Sequence, residues 1–80
     1  FRLRYRTLVA EIVEDIVRGN RDKKAATAFI KQRAMENVPQ EDQARLIEVV
    51  ETEVMSLHEG NIARYRLRPA EYQLWLERWQ

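Results

Sequence analysis

Two hexamers carry the residue types best suited to recognition chemistry: Phe1-Arg2-Leu3-Arg4-Tyr5-Arg6 and Ala63-Arg64-Tyr65-Arg66-Leu67-Arg68. Each alternates three arginines with apolar side chains, one of them a tyrosine, and together they hold six of the fourteen Lys+Arg residues. A guanidinium is planar, always charged and able to fork onto phosphate or carboxylate, and a neighbouring phenol ring adds a stacking surface. The chemistry implied is therefore anion recognition. A second basic set, Arg18, Arg21, Lys23, Lys24, Lys31 and Arg33, brackets the segment 18–33.

Catalytic chemistry has little to work with. His58 is the only histidine and there is no cysteine. That excludes thiolate metal sites, disulfides, cysteine nucleophiles and any multi-histidine ligand set within one chain. No glycine-rich phosphate loop accompanies the carboxylates. We therefore expect no catalytic residue, no metal and no cofactor, and we expect a structural role for His58 at the end of a helix.

The elements that must position these residues are helical. Eighty residues with two glycines, two prolines and 34% charged side chains fit one helix-rich domain. The chain opens on Phe1 rather than Met, and reads as part of a longer protein. Phe1, Tyr5, Leu8, Val9, Ile12, Val13 and Ile16 recur at helical spacing, so a first helix is expected from residue 1 to Arg18, stopped by Gly19-Asn20. On its other side Leu3, Ala10 and Val17 repeat every seven residues. Either this helix is central to the bundle or that seam meets another chain.

A second helix is expected over Asp22–Asn37, capped by Asn20 or Asp22, with Ala26, Phe29, Ile30, Ala34 and Val38 inward. A third follows Pro39 over Gln40–Glu59, with Leu46, Ile47, Val50, Val54 and Leu57 inward and its carboxylates mostly facing water. Alternation over residues 62–68 predicts an extended arginine-rich connector. Pro69 opens the last helix, where Tyr72, Trp75, Leu76 and Trp79 form an aromatic face that must dock on something. The expected fold is all-α: a small four-helix domain with an extended connector before the last helix.

Charge is segregated along this frame. Residues 1–40 carry nine basic and five acidic groups, residues 41–60 one and six, and residues 61–80 four and two. An acidic third helix thus stands between basic segments in a chain of net charge +1. It serves either to match charge within or between subunits or to steer a charged partner.

These features predict a non-enzymatic, cytoplasmic interaction or regulatory module that binds protein or itself as a dimer, through Leu3, Ala10, Val17, Trp75 and Trp79. The alternative is a nucleic-acid-binding accessory domain using Arg18, Arg21, Lys23, Lys24, Arg64, Arg66 and Arg68. Near-neutral net charge weighs against that alternative. No apolar run is long enough to span a bilayer, so no membrane role is expected.

Overall fold

A computed structural model describes residues 1–79 as four helices: α1 Arg6–Arg18, α2 Lys23–Asn37, α3 Gln40–His58 and α4 Pro69–Trp79. Helix α1 packs against each of the other three, and α2 and α3 form an adjacent pair. Of the two roles open to α1, central packing is therefore realised. The core draws on all four helices, with Ile12, Ile16, Leu46, Leu57 and Trp75 among its largest fully buried side chains. Among the described residues no helix is long and apolar enough to cross a membrane.

Local chemistry sets most boundaries. The Asp22 side chain accepts from Ala25 N at 2.9 Å and starts α2. In α4, Pro69 has no N–H to lose, and the Glu71 carboxylate reaches back to Arg68 N at 2.8 Å. Helix α3 ends one residue earlier than expected, at His58, because Gly60 (φ 98°) turns the chain left-handed and Asn61 N reaches back to Ser56 O at 3.3 Å. At the end of α1 the left-handed residue is Asn20 (φ 50°), while Gly19 stays helical; Arg21 N then closes onto Ile16 O at 3.1 Å. Asparagine is among the few residues that tolerate this conformation.

Two expectations are corrected. Regular helix begins at Arg6, not residue 1, because Tyr5 supplies no side-chain cap and residues 2–5 form a turn. The connector is also not extended throughout: Tyr65 N donates to Ile62 O at 3.1 Å and makes a turn before residues 66–68 run irregularly into Pro69.

Candidate functional site: a groove around Glu53

Helix α3 buries Leu46, Val49, Val50, Val54 and Leu57, and the same arc includes one carboxylate, Glu53. A lone buried carboxylate is costly unless charge and hydrogen bonds compensate it. Both hexamers supply that compensation. From the first, Arg2 Nη1 donates to Glu53 Oε2 at 3.3 Å. From the second, Arg64 Nη2 lies 3.1 Å from Oε1, and the Tyr65 hydroxyl donates to the same oxygen. Sequences more than sixty positions apart thus share one anchor.

The two tyrosines divide the work. Burial, then the hydrogen bond to Glu53, pushes the Tyr65 phenol well above its ordinary value. Tyr5 donates to Asp42 Oδ2 at 2.7 Å, and that bond, chiefly, raises its pKa. Arg45 also lies 4.6 Å from the Phe1 ring centroid, so the opening turn is held along α3 by three kinds of contact. Both tyrosines are partly buried and held by their hydroxyls.

Between the opening turn, α1, α3 and the connector lies a groove of about 530 Å³. Leu3, Val9, Ala10 and Val49 give it apolar walls, and Arg2, Arg6, Arg64, Tyr65 and Glu53 give it polar ones. Its size falls in the range of roughly 300–1,000 Å³ typical of binding clefts. Leu3 is 78% exposed, although it lines an apolar wall. The Arg6 side chain makes no ion pair or hydrogen bond among the described residues. The arginine head groups tied to Glu53 remain about three-fifths exposed, at 59% for Arg2 and 61% for Arg64.

The expected partner seam splits along α1. Leu3 and Ala10 line the groove, but Val17 is only 1% exposed, because the far end of α1 is enclosed by the bundle. Trp75 is likewise withdrawn from any surface role: its ring is fully buried and its Nε1 donates to Arg21 O at 3.0 Å. Trp79 is partly buried against the core, 5.1 Å from Trp75, and lines a separate cavity of about 180 Å³ with Ile30, Val54 and Met55. His58 packs beside both indoles, edge-on to Trp75 at 5.6 Å and tilted to Trp79 at 5.8 Å.

The residues considered for nucleic acid do not form one face. Arg64 belongs to the groove. Arg18 pairs with Glu14 (3.5 Å) and Glu71 (3.8 Å) and donates to Arg66 O, while Arg66 N donates to Glu14 Oε2 at 3.0 Å. Arg68 is fixed to Glu71 through its backbone. Arg21 lies over the Phe29 ring at 3.9 Å and donates to Asp15 O. Lys23 and Lys24, with Lys31, stand on an open face of α2.

Sequence reasoning overlooked Glu53, although a signal was present. It stands four residues after Val49, four before Leu57 and seven after Leu46, the spacing of an inward position. Comparison with protein-family models, curated proteins and solved structures finds no match. The functional reading therefore rests on the chain's own geometry.

Proposed function

We propose that this is a non-enzymatic helical interaction module that receives a segment of a partner protein in the groove around Glu53. The observation that carries the reading is the exposed Leu3 beside Val9, Ala10 and Val49, ringed by arginines whose charge the chain itself leaves partly unmatched. Apolar walls favour a partner's apolar side chains, and the guanidiniums favour its carboxylates, which set orientation and speed encounter. The reading takes the module as cytoplasmic, in keeping with a cysteine-free sequence.

A peptide library selected against the full chain tests it. The expected peptides combine acidic and apolar residues, shift the amide resonances of Leu3, Arg6, Ala10 and Val49, and bind at least tenfold more weakly to Leu3→Glu. Failure to select binders, or binders that map to α2 or α4, would count against it.

The nucleic-acid alternative draws its support from the open lysine face of α2. It requires affinity that falls with salt at a log–log slope of about −0.9 per phosphate contact and that is lost when Lys23, Lys24 and Lys31 become Ala. Weak, mutation-insensitive binding is the outcome expected here, since the six carboxylates of residues 41–60 repel the polyanion that the lysines attract.

A further inference from the structure

Resting on that reading of the groove, we infer that its occupant is the outer face of α3 from a second copy of this chain. Along α3 and its C-cap, Glu41, Ala44, Glu48, Glu51, Met55 and Glu59 fall within about 80° of the helix circumference at 100° per residue. All six are exposed, Met55 by 62%. None of the four glutamates has an ion pair among the described residues. The groove is the complement of this stripe: three guanidiniums against one carboxylate, with an exposed leucine and an alanine between them. One chain thus presents an acidic-apolar ridge without ion pairs and a basic-apolar groove whose charge its own fold matches only in part. Copies with a net charge of only +1 repel one another weakly, so the local match decides their orientation.

The groove and the ridge flank α3 on opposite sides, with Val49 and Glu53 about 160° around the helix from Glu51 and Met55. A two-fold axis parallel to α3 can set each against the other. With two α3 helices side by side and parallel about a two-fold axis, residues of the same number stand level. Val49 and Glu53 in one groove then stand level with Glu48, Glu51 and Met55 of the second copy. The rotation places the other groove against the other ridge, so the pair closes and exposes no further site for growth.

Light scattering on the full chain, across micromolar to millimolar concentration, supplies the test. The wild type should approach twice its 9.6 kDa mass. Arg6→Glu alone and Glu51→Arg alone should each weaken association at least tenfold, both positions being exposed and outside the core. An equimolar mixture of the two variants should restore the pair, because each groove then meets a ridge of opposite charge. A wild type that stays monomeric, a dimer indifferent to both swaps, swaps that the mixture does not rescue, or an open series of larger species would each overturn the inference. A monomer whose groove still selects acidic-apolar peptides would overturn this inference alone and leave the interaction-module reading standing.

Discussion

The two sides of this small bundle are closed by different chemistry. On one side Trp75 is fully buried, its indole donating to Arg21 O, and the Tyr72 hydroxyl donates to Leu57 O at 2.6 Å. Aromatic surface does the sealing there, and backbone carbonyls take the two polar hydrogens. On the other side the opening turn and the connector are tied to α3 by side chains alone, chiefly around Glu53. The arginine head groups there are about three-fifths exposed, so they can meet water or a second carboxylate while still facing Glu53. The comparison teaches that stability is concentrated on the sealed side, while the open side keeps its contacts adaptable.

The largest effect should come from opening the sealed side. Trp75→Ala removes a fully buried indole, which typically costs about 3–5 kcal/mol. Domain stabilities start near about 5 kcal/mol, so the variant should be largely unfolded at room temperature. An unchanged denaturant midpoint would show that the aromatic side is not the stabilising one.

Breaking the anchor of the open side should cost less. Glu53→Ala frees Arg2, Arg64 and the Tyr65 hydroxyl together, and we expect a loss of about 1–3 kcal/mol, set mainly by the hydrogen bond to the carboxylate. Amide exchange should quicken at Ala63–Arg66 while α4 stays protected. Equal acceleration in both regions would erase the contrast.

How much of this was readable in advance follows from the range of each interaction. The Asp22 cap, the Pro69 start and the two chain reversals are local, and all were visible in the order of residues. The aromatic face of α4 is legible as a docked surface, but the order of residues does not say whether it docks within the chain or on a partner. Trp75, expected at a partner surface, is buried in the chain's own core. The seven-residue repeat Leu3-Ala10-Val17 was misleading. Periodicity assigns three residues to one stripe, but it says nothing about neighbours that cover Val17 and leave Leu3 bare. The meeting of the two hexamers at Glu53 joins residues more than sixty positions apart, and only the packing of α3 against α1 and the connector reveals it.

A subtler way to sharpen the contrast is pH. The raised Tyr65 phenol means that the folded state holds its proton more tightly than the unfolded chain does. Its contribution is therefore fully present below the ordinary tyrosine value of 10.0 and is lost as pH rises beyond it. Tyr65→Phe should lower stability by about 1 kcal/mol at neutral pH and should flatten the alkaline decline. An alkaline profile identical to the wild type would show that Tyr65 has no such coupling to Glu53.

The central claim is that the open side binds and the sealed side stabilises, and Leu3→Glu tests it most directly. Measured in one preparation, its denaturant midpoint should correspond to a stability within about 0.5 kcal/mol of the wild type, as for an exposed position without structural partners. Its affinity for a groove-selected acidic peptide should fall at least tenfold. Undiminished affinity, or loss of the fold together with the binding, would contradict the account.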